Sequence, residues 1–146
     1  MKPYYDKDNI TIYNSDCLEV MKGFEDNSID SIVTDPPAGI SFMGKEWDIF
    51  DKSMFGIKGQ EGKDDLKGFQ EFIYIVFLEA YRVLKPGGHC LVWAIPRTSH
   101  HTAMGLERAG FEIRDKVYHL FGSGFPKNLN IGKAYDKVMG NERQVI

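Results

Sequence analysis

Hydrophobic positions follow two different periods along the chain, and the alternation of these periods predicts strands and helices in turn. Short apolar and β-branched runs predict strands at residues 10–13, 29–34, 89–95 and 111–121. Helical spacing, with capping residues at the ends, predicts helices at residues 17–22, 69–84, 98–110 and 131–139. The pattern predicts an α/β fold with a mainly parallel sheet, in which strand 29–34 is central and strands 10–13 and 89–95 lie near it.

The longest predicted helix carries its apolar residues on one side, and Pro86-Gly87-Gly88 ends it. The residues on that side are Phe69, Phe72, Ile73, Val76, Phe77, Ala80, Val83 and Leu84. Before this helix lies a loop rich in Gly and Lys, residues 39–67. Loops of this length are usually functional or disordered. We expect it to be mobile in the free protein, with Phe42 to Trp47 as its anchored end.

Composition and charge narrow the class of protein. The 146 residues are 42% apolar and 27% charged, which is typical of one soluble globular domain. No apolar run is long enough to span a membrane and no signal peptide is evident, so we expect a cytoplasmic protein with free thiols at Cys17 and Cys90. The net charge of −3 excludes a protein that coats nucleic acid by bulk electrostatics.

Candidate chemistry lies at the ends of two predicted strands. The segment Val33-Thr-Asp-Pro-Pro-Ala-Gly39 takes an apolar strand directly into the acid Asp35 and two prolines, which cannot continue a sheet. Ligands of open parallel sheets bind beyond the carboxyl ends of the strands, where Asp35 lies and where Asp16 is expected. Asp16 is also a good helix N-cap, and the two roles can coexist, one for each carboxylate oxygen.

This segment resembles the Asp-Pro-Pro-Tyr signature of amino-methyltransferases that methylate exocyclic nitrogens of DNA bases, such as phage and bacterial DNA adenine methylases. Residues 13–37, 79–93 and 110–137 are similar to other stretches of these enzymes, so the resemblance covers nearly the whole chain except much of residues 49–67. It implies a partial Rossmann-like methyltransferase fold with helices on both faces of the sheet. The order of motifs resembles the permuted subgroup in which the catalytic corner comes first. The chain therefore looks like the amino-terminal catalytic half, without the glycine-rich cofactor motif and the target-recognition region.

The resemblance also implies a cofactor, a substrate and site residues. The cofactor is S-adenosylmethionine, held by Asp16, Cys17 and Asp35. The substrate is double-stranded DNA with one base flipped out of the helix. The Asp35 carboxylate and the Pro36 carbonyl would accept hydrogen bonds from the target amine, and the Pro36-Pro37 corner would hold both acceptors in place.

Ala38 departs from the family pattern, which has an aromatic residue there that stacks on the flipped base. Alanine cannot stack, so another ring must replace it or the corner has decayed. The candidate rings are Phe42, Trp47, Tyr118 and Phe121. Phe42 and Trp47 could instead be core rings beneath a surface loop.

Several basic residues are candidates for contacts with DNA phosphates, although isolated cations are often only solvated surface. These are Arg97, Lys127, Lys133 and Lys137. The glycine-rich stretch 121–126 has no helix directly behind it, so we interpret it as a loop near the DNA. The adjacent His100 and His101 are predicted to point about 100° apart on a helix, and no metal site is expected.

Alternatives to an adenine-N6 methyltransferase remain open at this point. The protein could be an inactive remnant that binds a partner, or an amino-methyltransferase acting on cytosine N4, RNA or protein. Family members that modify glutamine usually carry Asn at the position of Asp35, and those that modify cytosine usually carry Ser, so the acid favours adenine in DNA. A missing carboxy-terminal half or a second copy of the chain is a possible protein partner.

Overall fold

The computed structural model describes residues 1–40, 45–50, 65–120, 122 and 130–140, with residue 65 described by its backbone alone. The strands are β1 (Tyr5–Lys7), β2 (Ile10–Ile12), β3 (Ile29–Thr34) and β4 (Leu84–Val92). The α-helices are α1 (Cys17–Met21), α2 (Asp65–Val83), α3 (Ser99–Arg108) and α4 (Ile131–Met139), and one 3-10 turn covers Glu46–Asp48. The chain divides into two units, Met1–Arg114 and Asp115–Ile146.

Strands β1 and β2 form an antiparallel hairpin in which Tyr5 pairs with Ile12. Its two-residue turn consists of Asp8 and Asn9, both with positive φ, at 55° and 61°. Such turns match the twist of paired strands, and Asn and Asp tolerate this conformation. The predicted strand 10–13 is therefore confirmed through Ile12. The prediction that it shares a sheet with a central strand 29–34 is wrong, because β1–β2 and β3–β4 form two separate two-stranded sheets.

Strands β3 and β4 are parallel, as predicted, and Ile32 pairs with Cys90. Strand β4 begins earlier than predicted because Leu84 pairs with Ile29 directly after α2 ends. The register then jumps so that Ser31 pairs with His89, and the residues between bulge out around Gly87, whose φ is +79°. Strand β3 has the predicted bounds.

Helix α2 supplies most of the core of the first unit. Six of the eight predicted inward residues are buried, and Phe72 and Val76 are half-buried at the edge of the same cluster. Helix α3 contributes Leu106 to this core, and Ile32 of β3 packs against it. The apolar period of α2 thus predicted its buried face correctly.

The opposite face of the β3–β4 pair is open among the described residues of the first unit. Val33 is 78% exposed and Leu91 is exposed as well. The predicted second layer of helices is therefore not seen in this part of the chain. The predicted strand at 111–121 is also not found over residues 111–120, which form no helix or strand. These residues alternate apolar and polar side chains, but no described strand lies beside them to accept and donate the hydrogen bonds of a sheet. Val117 and Leu120 are accordingly exposed.

In the second unit, α4 has the predicted bounds and ordinary caps. The Asn130 side chain accepts a hydrogen bond from the Lys133 amide at 3.0 Å, and Gly140 ends the helix in the left-handed conformation. Among the described residues, none of the helices has the length and apolar character needed to cross a membrane.

Candidate active site at the Asp-Pro-Pro corner

Asp35 is the first residue beyond the carboxyl end of β3. Just before it, the Thr34 carbonyl accepts a hydrogen bond from the Trp93 amide at 2.9 Å, directly after the last residue of β4. The Asp35 side chain is exposed and makes no hydrogen bond or ion pair with the residues that the structure describes. Pro36 and Pro37 follow, half-buried. A rigid strand end therefore presents a solvent-accessible carboxylate at the edge of the sheet, as the sequence predicts.

The backbone that follows the prolines is held by hydrogen bonds from two buried side chains. Asp48, 1% exposed, accepts from the Gly39 amide at 2.7 Å through Oδ1 and from the Ile40 amide at 3.1 Å through Oδ2. The buried Thr98 hydroxyl donates to the Ala38 carbonyl at 2.6 Å. Three consecutive residues, Ala38 to Ile40, are thus fixed through their main chain.

The backbone of Gly39 packs closely against the buried ring of Phe69. Its φ is +65°, and a Cβ atom added there would lie 2.5 Å from Cγ of Phe69. Only glycine fits both the conformation and the close approach to the ring. The Phe50 ring, 5.4 Å from that of Phe69, brings the chain after Asp48 back into the core.

Among the described residues of the loop, the buried ones lie just beyond the predicted anchor. We expected Phe42 to Trp47 to be its fixed end, whereas Asp48 and Phe50 are the buried residues of the described segment. Phe42 lies outside the described residues, as does most of the loop that was predicted to be mobile. The Trp47 indole is 58% exposed, which rules out its alternative interpretation as a core ring.

Asp16 is confirmed as the N-cap of α1. Its Oδ1 accepts from the amides of Leu18 at 2.9 Å and Glu19 at 3.3 Å. Neither bond uses Oδ2, and among the described residues no hydrogen bond reaches that oxygen. Cys17 is the first residue of α1 and is exposed as a whole. Partial burial of its thiol, and secondly the negative charge of Asp16, raise the pKa of Cys17. One oxygen of Asp16 is thus committed to the fold and the other is available to a ligand.

Two of the remaining candidate site residues each lie one position before a residue that hydrogen-bonds to the backbone after the prolines. Trp47 precedes Asp48, which binds the Gly39 amide, and the exposed Arg97 precedes Thr98, which binds Ala38. Tyr118, Lys133 and Lys137 are exposed and belong to the second unit. Phe121 and Lys127 lie outside the described residues.

The two adjacent histidines do not diverge as predicted. The ring centroids of His100 and His101 are 4.1 Å apart, with the ring planes inclined at 43°, so the two rings lie against each other. Nδ1 of His101 is buried and has no hydrogen-bond partner among the residues that the structure describes. Burial, and secondly the neighbouring His100, lower the pKa of His101. A search of the described residues finds no group of three metal-ligating side chains.

Three residues around the corner were not identified from the sequence. Asp48 was one acid among many in a charged loop, and Thr98 was considered, with Ser99, only as the residue that starts α3. Thr98 does occupy the N-cap position, but its hydroxyl makes no capping bond and turns to Ala38 instead. Trp93, 51% exposed, directly follows β4 and was assigned to the strand itself. Its position beside the end of β3 becomes visible only once the strands are paired.

Comparison with known proteins finds relatives among the type II methyltransferases. The chain is 33% identical over 108 residues to the type II methyltransferase M.BamHI of Bacillus amyloliquefaciens, covering 74% of this chain and 23% of that protein. It is 34% identical over 126 residues to M.HpaI of Haemophilus parainfluenzae, covering 86% and 36%. It is 30% identical over 122 residues to M2.LlaDCHI of Lactococcus lactis subsp. cremoris, covering 80% and 43%.

No family model matches the chain, and no solved structure matches it. The chain spans less than half the length of the curated relatives it matches. The similarity nevertheless extends over most of the chain, at 28 to 34% identity with several such enzymes, and it supports a place for this chain in a DNA methyltransferase family.

Proposed function

We propose that this chain is the catalytic portion of a DNA amino-methyltransferase of the permuted Asp-Pro-Pro-Tyr type, with a Rossmann-like fold. In this proposal it transfers a methyl group from S-adenosylmethionine to the exocyclic amine of a flipped base, adenine N6. The observation that carries the proposal is the exposed Asp35 carboxylate at the end of a parallel strand, followed by a proline corner whose backbone is anchored on both sides. The similarity to type II methyltransferases supports it.

The chemistry at the corner follows from the weakness of the nucleophile. The lone pair of an exocyclic amine is delocalised into the base, so it attacks poorly until the nitrogen is drawn toward tetrahedral geometry. The Asp35 carboxylate and the Pro36 carbonyl each accept one N–H bond from the amine, which favours that geometry. The backbone that carries both acceptors is held on both sides before the base arrives, which limits the reorganisation needed during the reaction.

In the proposal, Asp35 stabilises the positive charge that methyl transfer creates and also lies where the surplus proton leaves. When bound, S-adenosylmethionine supplies an electrophilic methyl group on a positively charged sulfur. As the new N–C bond formed and the sulfur–methyl bond broke, with the neutral thioether as leaving group, positive charge would pass to the amine nitrogen, where the negative Asp35 would stabilise it. The surplus proton then leaves the nitrogen, to Asp35 or to water in contact with its exposed carboxylate.

In the proposal, Asp16 and Cys17 hold the adenine end of the cofactor. Asp16 Oδ2, which no described residue uses, can accept a hydrogen bond from an adenine amine, while Oδ1 holds the start of α1. In the proposal, the Cys17 amide at the same helix start donates to a ring nitrogen of that adenine.

The DNA side of the proposal rests on residues near the corner. Arg97 is exposed in the turn that leads to Thr98, next to the Ala38 carbonyl, so we assign it a phosphate contact beside the flipped base. Trp47 and Trp93 are exposed rings on the two segments that flank the corner, and either can stack on the base in place of the aromatic residue that Ala38 lacks.

The test is methyl transfer by the protein that carries this chain, with labelled S-adenosylmethionine, duplex DNA and mass spectrometry of the product nucleosides. Asp35→Asn keeps an oxygen but removes the charge, and we expect it to slow the single-turnover rate by about 100- to 1,000-fold. Asp35→Ala should abolish transfer. Asp30→Asn is the matched control, because Asp30 is an exposed acid of the same strand that pairs with Lys85 at 2.6 Å.

The nucleoside product decides between the bases. N6-methyladenine supports the proposal in full, and N4-methylcytosine would retain the chemistry but overturn the assignment of the base. If Asp35→Ala transfers methyl groups as fast as the unaltered protein, the corner is not the active site. If the unaltered protein transfers none to any duplex tested, the proposed function fails.

A further inference from the structure

The backbone segment Ala38 to Ile40, together with the side chains of Asp48 and Thr98 that bind it, is called the corner clamp here. Its bonds involve all three residues of the segment: the Ala38 carbonyl and the Gly39 and Ile40 amides. A buried carboxylate is costly to desolvate unless it is fully hydrogen-bonded. Two charge-assisted bonds to main-chain amides, which are stronger than neutral ones, offset part of this cost for Asp48.

Thr98 occupies the N-cap position of α3, but its side chain takes part in the corner clamp and does not cap the helix. A threonine at an N-cap normally accepts a bond from an amide in the first turn of its helix. Here the side chain makes no such bond, and its hydroxyl donates across 60 residues of sequence to Ala38. The side chain is buried, so this hydroxyl is shielded from water.

The clamp and the sheet hold the corner from opposite ends. On one side, Thr34 is fixed by the bond from the Trp93 amide and by its pairing with Val92. On the other side the clamp begins at Ala38, immediately after Pro37. Asp35 to Pro37 therefore form a short, stiff bridge between two fixed points, and the directions of the Asp35 carboxylate and the Pro36 carbonyl depend on both.

We propose that Asp48 and Thr98 are positioning residues for methyl transfer, which orient the Asp35 carboxylate and the Pro36 carbonyl by fixing the backbone from Ala38 to Ile40. This inference rests on the proposed function. Neither residue touches the base or the cofactor in it, and both act through the main chain. A displacement of about 1 Å at reacting groups can cost about 100-fold in rate.

The experiment compares variants that remove single clamp bonds. Thr98→Val removes the hydroxyl and keeps the shape, whereas Thr98→Ser keeps the hydroxyl and loses a methyl group. Asp48→Asn keeps one acceptor but turns an NH2 group toward one of the two amides. Asp30→Asn again serves as the control.

Two measurements are made on each variant. The first is amide hydrogen exchange by NMR on this 146-residue chain. We expect Asp48→Asn to lose protection at Gly39 and Ile40, while the amides of α3 stay protected. The second is the single-turnover rate with saturating DNA and cofactor, together with the Kd of each.

We expect Thr98→Val and Asp48→Asn to lower the rate about 10- to 100-fold with the cofactor Kd changed less than about twofold, and Thr98→Ser to restore most of the rate. A residue with only a structural role would lose α3 protection and stability in step with the rate, and serine would not rescue it. The inference is overturned if Thr98→Val or Asp48→Asn transfers methyl groups at the normal rate while Asp35→Ala is inactive.

The outcome for the proposed function is separate. If the unaltered protein transfers no methyl group, the proposed function fails and the positioning role fails with it, while hydrogen exchange still reports whether the clamp bonds exist. If Asp48→Asn does not fold, the Thr98→Val and Thr98→Ser pair decides.

Discussion

Replacing Gly39 by alanine tests the close contact beneath the candidate active site. The added Cβ would lie 2.5 Å from Cγ and 2.8 Å from both Cδ atoms of the Phe69 ring. Carbon atoms prefer separations of about 3.5 Å or more, so the backbone or the ring must move by about 1 Å. Phe69 is 1% exposed and packs against Phe50, so the ring has little room and the corner should be displaced instead.

The expected loss of stability has two parts. Alanine in the left-handed conformation costs about 1–2 kcal/mol relative to glycine. The overpacking against Phe69 adds about 1–3 kcal/mol. Gly87→Ala separates the parts, because Gly87 has φ +79° but nothing within 4 Å of its added Cβ. We expect about 1–2 kcal/mol for Gly87→Ala and about 2–5 kcal/mol for Gly39→Ala.

Urea unfolding followed by tryptophan fluorescence is a suitable assay, because both tryptophans, Trp47 and Trp93, belong to the first unit. Phe69→Leu supplies the third leg of a double-mutant cycle, since a smaller side chain makes room for the Cβ. Gly39→Ala should then cost about as much in the Phe69→Leu background as Gly87→Ala costs in the unaltered chain. Equal costs for Gly39→Ala and Gly87→Ala in the unaltered chain, within about 0.5 kcal/mol, would refute the contact.

Two further predictions follow from the ionisable groups. Burial raises the pKa of Cys90 to about 11, which leaves about one thiolate per thousand at pH 8, so iodoacetamide should alkylate the more exposed Cys17 first in a mass-spectrometric time course. Equal rates would contradict the burial of Cys90. Because His101 has a folded-state pKa below its ordinary 6.5, the unfolded chain binds the proton more readily, and stability should fall as the pH drops below about 6.5. His101→Gln should reduce the difference in unfolding free energy between about pH 7.5 and 5.5, and an unchanged difference would exclude this histidine as its source.

Elements whose signals are local were predictable from the sequence. Strand β3 and helix α4 have the predicted bounds, and α2 buries the predicted face, because periodicity and caps are properties of short windows. The hairpin partner β1 was missed because it is only three residues long, although Asp8-Asn9 is a recognisable turn. Residues 111–120 have the composition of a strand but no described partner to pair with, and pairing is not a local property.

In the candidate site, too, the features with local sequence signals were predictable and those that depend on distant contacts were not. Asp35 could be predicted because its strand, its acid and its prolines are contiguous in sequence. The clamp could not, because Thr98 and Ala38 are 60 residues apart and Asp48 binds through the main chain. Main-chain bonds leave no pattern of side chains to find. The sequence indicated the acceptors that we propose, and the structure shows the bonds that hold the backbone beside them.

This distinction bears on Ala38, at the position where the family that the sequence resembles has an aromatic residue. Every bond of the corner clamp is made to the backbone of residues 38–40, so a change of side chain at Ala38 leaves all of them intact. The close approach of Gly39 to the Phe69 ring involves the backbone of Gly39 itself and does not require an aromatic ring at position 38. A decayed corner would have no need of a buried carboxylate and a diverted cap hydroxyl to fix it. The complete clamp beside Ala38, with the exposed Trp47 one residue from Asp48, therefore favours a substituted stacking ring over the loss of the site.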